Sequence, residues 1–219
     1  MKKNLLLLGL LLSVSTSLLA QIDKFEKEIR AYESKDSLAM PAKNLRLFFG
    51  SSSFRLWKSF DQDMAAYPSI NRGFGGSTLE EALYYFDRMV LKYQPSWVFM
   101  YEGDNDLAKG QSPEFIAQEF VEFSKRLKSK LPKTQLVFIA ARPSLARLNM
   151  LDKQRDLNAR IQQIVAKEKG RYFIDMQSPF FRPDGSLMDD IFVADRLHLN
   201  EKGYQIFVKQ IHEFIQKHP

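Results

Sequence analysis

The sequence predicts an α/β protein, a three-layer α/β/α sandwich around a five-stranded, mainly parallel sheet. Short apolar runs of strand length alternate along the chain with longer stretches of helical periodicity, which is the pattern of a sheet covered by helices. The runs are near-continuously apolar rather than alternating, as strands buried on both faces must be. The helical stretches also open on recognisable caps, so strands and helices separate cleanly.

In chain order, residues 1–20 read as a secretory leader. Lys2 and Lys3 precede a leucine-rich run from Leu5 to Leu12, which is broken by Ser13, Ser15 and Ser17 and ends in Leu18-Leu19-Ala20. A membrane span needs about 20 apolar residues, so cleavage after Ala20 is expected, leaving one domain over 21–219 with no stable membrane insertion. No cysteine stands at that junction to carry a lipid. A polar amphipathic stretch follows, from Ile22 to about Ser34. The expected strands are Leu45–Phe49, a short one at Ser69–Asn71, Trp97–Tyr101, Leu136–Ala140 and Tyr172–Asp175. Between them, helices are expected over Leu79–Lys92, opened by a Thr78/Glu81 capping box, over Pro113–Lys130, capped by Ser112, and over Leu148–Lys169. Asn200 caps a last helix to about Lys217. Residues 177–193 lack a period and read as an ordered loop lining a site.

Composition removes several classes of function. The absence of cysteine excludes disulfides, thiolate catalysis and thiolate metal sites, so any nucleophile is an oxygen. The formal charge of +6 becomes +4 without Lys2 and Lys3, and the basic residues lie at helical spacing, often beside acids. That is a solvated surface, not the basic stripe with stacking aromatics that nucleic acid requires. No metal or cofactor is expected: the acids around Asn105 lack the regular spacing of a calcium loop, and no second histidine stands near His198 for zinc. Oligomeric state is not readable.

In open parallel sheets, ligands bind beyond the carboxyl ends of the strands, and here those ends carry chemistry. Gly50-Ser51-Ser52-Ser53 follows the first strand, Asn71-Arg72-Gly73-Phe74-Gly75-Gly76 the second, Glu102-Gly103-Asp104-Asn105-Asp106 the third, and Asp195-Arg196-Leu197-His198 lies beyond the fifth. A serine hydroxyl needs a base, and histidine suits that work near neutral pH. Of three histidines, only His198 follows an acid at a spacing that lets Asp195 reach back to its ring. An oxyanion needs donors, and the amides of Gly76 and Ser52 with the Asn105 side chain supply three candidates. Read singly, the serines make an ordinary turn or helix cap, the glycines a tight turn, and Asp195 with His198 a surface pair.

These four blocks together resemble the SGNH or GDSL-like esterases and lipases, and the resemblance spans nearly the whole mature chain. It implies flavodoxin-like strand order, Ser52 as nucleophile, Gly76 and Asn105 with the Ser52 amide as oxyanion hole, and Asp195 and His198 completing a triad. Ser51 replaces the family's usual aspartate, leaving Ser51 and Ser53 as alternatives for the nucleophile. The string Gly50–Trp57 resembles branches acting on platelet-activating factor, lysophospholipids or acetyl esters. Arg142, after the fourth strand, is a candidate contact for an anionic substrate group or else a surface arginine. Trp57 and Phe74 are candidates for an acyl or leaving-group pocket or else core. The expected partner is a small-molecule, lipid or glycan ester. The resemblance implies an exported ester hydrolase; an envelope acyltransferase with the same triad and a non-catalytic glycan or lipid binder are the rivals.

Overall fold

The computed structural model describes residues 24–219. The expected leader at 1–20, with its cleavage site after Ala20, lies outside the described residues. Contacts divide the chain into two compact units at Met40 and Pro41. In the first, helix α1 (Glu26–Leu38) occupies the polar stretch that the sequence marked, with Glu26 and Glu28 in its first turn and Lys35 in its last. That placement complements the helix dipole at both ends. Among the described residues no helix is long and apolar enough to cross a membrane.

The second unit, Pro41–Pro219, contains the sheet. Its strands are β1 (Arg46–Gly50), β2 (Ser69–Gly73), β3 (Trp97–Tyr101), β4 (Gln135–Ile139) and β5 (Arg171–Ile174), in the order β2-β1-β3-β4-β5. Every pairing is parallel. The expected strands are all present within about two residues of their expected bounds.

Because β1 lies between β2 and β3, chain direction across the sheet reverses there, and this switch point is where a parallel sheet opens a crevice. The register aligns Gly50 with both Gly73 and Tyr101, so the three loops that follow leave from one edge at one level. Gly50 makes that edge possible. Its φ is +134°, and an added Cβ would collide with the Tyr101 carbonyl oxygen, which accepts the Ser51 amide at 3.1 Å.

Side chains alternate between the two faces of the sheet. On one face Phe48, Phe99, Val137 and Ile174 meet the segment of α2 (Ser52–Arg55) and α3 (Phe60–Asp63) together with the C-terminal helix Glu201–Lys217, through Phe54, Trp57, Phe60, Phe207 and Ile211. On the other, Phe49 and Phe138 pack against Phe74, Phe120 and Phe123. That face is covered by α4 (Leu79–Tyr84), α5 (Phe86–Met89), α7 (Pro113–Lys130) and α8 (Leu151–Val165), while the short α6 (Asp104–Ala108) follows β3. The C-terminal helix, α9, is capped by the Asn200 side chain, which accepts the Gly203 amide, and α7 is capped by Ser112 as expected.

Two helices differ from expectation. The continuous helix expected over Leu79–Lys92 opens on its Thr78/Glu81 capping box but breaks at Tyr85, giving α4, α5 and a 3₁₀ turn, Leu91–Tyr93. Tyr85 is fully buried with its ring on Phe74, and Phe86 packs on Phe123, so tertiary packing overrides the local period. The helix expected from Leu148 begins as a 3₁₀ segment, Leu145–Met150, with Arg147 in a non-helical conformation, and becomes regular only at Leu151.

Phe48 is the centre of the first core layer, stacked on Phe99 at 4.7 Å and edge-on to Phe54, Trp57 and Phe60. Phe48→Ala is expected to lower unfolding free energy by about 3–5 kcal/mol, read from the urea midpoint at unchanged slope.

Candidate active site

The loop after β1 turns directly into α2, and its three serines face different ways. Ser51 is buried and its Oγ accepts a hydrogen bond from Asn105 Nδ2 at 3.1 Å. Ser53 is buried and its carbonyl accepts the Tyr204 hydroxyl. Only the half-buried Ser52 reaches the histidine, with Oγ 3.0 Å from His198 Nε2. Ser52 also opens α2, where an amide has no intrahelical acceptor.

His198 is held by a turn that a single carboxylate organises. Asp195 Oδ1 accepts the Leu197 and His198 amides at 2.9 Å each, while Oδ2 lies 2.6 Å from His198 Nδ1. An ionised carboxylate only accepts, so Nδ1 carries the proton and Nε2 turns its lone pair to Ser52. Burial pushes the Asp195 carboxyl up, but hydrogen bonds from the imidazole and the two amides outweigh it, bringing its pKa down from 3.8 to about 2. Asp195 is therefore ionised wherever histidine is neutral. The turn is anchored from the loop after β4, where Ala146 donates its amide to the Arg196 carbonyl and Arg142 its guanidinium to the Leu197 carbonyl, both at 3.0 Å.

Asn105, in the first turn of α6, donates from Nδ2 to the Ser77 carbonyl at 3.0 Å as well as to Ser51, and Arg147 Nη2 donates to its Oδ1 at 3.1 Å. Gly76, in the turn after β2, has φ +74°, and a Cβ there would meet nothing within 4 Å. That turn presents bare backbone to open space. Beneath these groups lie buried acids. Glu102 accepts the Ser77 hydroxyl at 2.5 Å on Oε1 and has no partner on Oε2. Burial, reinforced by the negative charge of Asp106, holds its pKa well above the carboxylate range. Asp106 is raised to about 6 by burial, although it accepts the Leu79 and Gly103 amides at 2.8 and 3.0 Å and so ties the second loop to the third.

Three substrate-contact candidates are corrected. Trp57 is 3% exposed, within the core between Phe48, Phe60 and Phe207, its Nε1 bound to Asp63. Phe74 is wholly buried against Phe49 and Tyr85. Arg142 is 3% exposed and braces the histidine turn instead of facing solvent. All three follow strand ends, where large side chains also close the core. Arg147, Ser77, Asp104 and Gln154 carry no sequence signal of their role; Asp106 has one, the acid three residues after Gly103. Among the described residues no three acid or histidine side chains converge as a metal site. Beside His198 opens a cleft of about 1000 Å³, walled by Leu56, Gln62, Val193, Tyr204 and His212.

A hydroxyl, imidazole and carboxylate in a hydrogen-bonded line, beside amide donors at one sheet edge, is an arrangement suited to acyl transfer. The sequence matches the model of the GDSL-like lipase/acylhydrolase family over residues 47–206, a span that contains all four blocks at the strand ends. The chain belongs to the GDSL-like lipase/acylhydrolase family. It is a carboxylic ester hydrolase of that family, and its fold agrees. A GDSL-like lipase from Bacteroides thetaiotaomicron superposes with a TM-score of 0.74 at 20% identity, covering 86% of this chain and 97% of that one. A lipase/acylhydrolase from Enterococcus faecalis gives 0.65 at 19%, covering 79% and 96%. A catalytic mutant of an acetylxylan esterase from Geobacillus stearothermophilus gives 0.62 at 16%, covering 78% and 93%. At such identities the likeness establishes the fold alone. No curated protein matches this acylhydrolase.

The raised Glu102 pKa has a measurable consequence. Unfolded, Glu102 ionises near the usual 4.5, whereas folded it keeps its proton to higher pH. Above that value the folded state binds more protons, so Glu102 makes stability fall as pH rises. The neutral isostere Glu102→Gln is expected to flatten that fall in denaturant titrations run from about pH 5 to about pH 8.

Proposed function

We propose that this acylhydrolase is an exported serine esterase that cleaves acetyl or other short-acyl esters through an acyl-enzyme on Ser52. The observation that carries the reading is the unbroken line Ser52–His198–Asp195, at 3.0 and 2.6 Å. In the first half-reaction His198 Nε2 takes the Ser52 proton as Oγ attacks the ester carbonyl carbon. The resulting oxyanion is met by the Ser52 and Gly76 amides and by Asn105 Nδ2. Collapse expels the alcohol, which receives the proton from His198. Water, deprotonated by the same nitrogen, then attacks the acyl-enzyme and releases the carboxylic acid and Ser52. Asp195 stays ionised and stabilises the imidazolium.

The alcohol portion is assigned to the cleft beside His198, whose walls mix amides, charges and the Tyr204 ring. Neither Trp57 nor Phe74 lines an acyl channel, and similarity to an acetylxylan esterase points the same way, towards a short acyl group on a polyol. Export is supported by the leader pattern of residues 1–20.

Hydrolysis of p-nitrophenyl esters of rising chain length tests the assignment. Wild type is expected to prefer acetate. Ser52→Ala and His198→Ala are each expected to lower kcat by at least ~10³-fold, and Asn105→Ala by about 10²-fold. Full activity in Ser52→Ala would overturn the assignment, and product analysis with an added polyol acceptor separates hydrolysis from acyl transfer.

A further inference from the structure

Asn105 offers its carboxamide to the reaction only if the amide is turned the right way. Its two ends have nearly the same shape, and rotation by half a turn exchanges a donor for an acceptor. With Oδ1 facing Ser51, lone pairs would confront the developing oxyanion and repel it. Nδ2 donates to the Ser51 hydroxyl, which tolerates either orientation because it also donates, and to the Ser77 carbonyl, which only accepts and so favours Nδ2 on that side. A charged contact at the other end enforces the same orientation. Arg147 Nη2 donates to Oδ1 at 3.1 Å, and a guanidinium has five donors and no acceptor. A flipped amide would set N–H against N–H, so Arg147 admits one orientation.

Arg147 is itself locked. Its Nη1 pairs with the Asp104 carboxylate and donates to the Asp104 carbonyl at 3.2 Å, while Gln154 Nε2 holds the other Asp104 oxygen at 2.8 Å. The pair is largely enclosed, with side-chain exposures of 17% and 11%. To make these contacts the residue leaves helical geometry, at φ −128° and ψ 26°, within the 3₁₀ segment that precedes α8. A cation on Oδ1 also draws charge along the amide and strengthens its N–H groups as donors.

We propose that Arg147 is a positioning residue for Asn105: with the Ser77 carbonyl it fixes the carboxamide, it polarises the N–H groups, and the N–H that rests on the Ser51 hydroxyl is the one that turns to the reacting carbonyl. This rests on the reading of Asn105 as an oxyanion donor. Arg147 acts wholly through Asn105 and touches no reacting atom.

A double-mutant cycle on the full chain with p-nitrophenyl acetate tests it. Arg147→Gln is expected to lower kcat about ten- to a hundredfold, within the range of a lost oxyanion donor, with KM changed less than about twofold. In an Asn105→Ala background the same change is expected to alter kcat less than about twofold, because its effect has lost its target. Arg147→Lys keeps the charge without the planar fork; it is expected to recover part of the loss, and it serves as the test if Arg147→Gln does not fold. Equal losses in both backgrounds, a change in KM alone, or no loss while Asn105→Ala is impaired would each overturn the proposal. Full activity of Asn105→Ala in an enzyme that Ser52→Ala inactivates would remove the oxyanion reading, and this inference with it.

Discussion

A hydrogen bond of 3.0 Å joins two residues 146 positions apart, Ser52 and His198, and the architecture around it serves to hold that distance. Ser52 is placed by β1 and by the close approach of Gly50 to Tyr101, so it leaves the sheet at its switch point. His198 comes from a turn beyond β5, at the far edge of the sheet, outside the five strands, and its carbonyl accepts the Val193 amide at 2.9 Å. It is fixed further by the Asp195 carboxylate within the turn and by Arg142 and Ala146 from the loop after β4. The fold supplies one partner rigidly and the loops bring the other to it.

Charge beneath the site is handled in three ways, each following from local geometry. Glu102 meets only a hydroxyl and keeps its proton, because an ionised carboxylate there would lose its water without recovering comparable hydrogen bonds. Asp106 recovers them from two backbone amides and titrates nearer the usual range. Asp104 is met by a guanidinium and an amide. Through these acids the loops after β2, β3 and β4 become one connected layer, and Gly76 and Asn105 belong to those loops.

Much of this was legible in the chain. Continuous apolar runs cannot be laid on a half-solvated sheet, so Leu47–Phe49, Val98–Tyr101 and Leu136–Ile139 implied burial on both faces, and the caps at Thr78, Ser112 and Asn200 fall where local hydrogen bonding alone puts them. The helix through Tyr85 was misread because the period of Leu79–Lys92 is continuous, while the break is made by the contact of Tyr85 with Phe74. Trp57 and Phe74 take the core alternative and Arg142 neither of its two, for a related reason: a position beyond a strand end says that a residue is near the crevice, not which way it points.

The sequence by itself determined the class of fold, the family blocks at the strand ends and the histidine that pairs with Asp195, since these depend on periodicity, local caps and a count of residue types. Tertiary structure alone decided which of three consecutive serines meets His198, which aromatics belong to the core, and that Arg147 grips Asn105. Those choices are set by side-chain direction and by contacts between segments tens of residues apart, and the local order of residues contains neither.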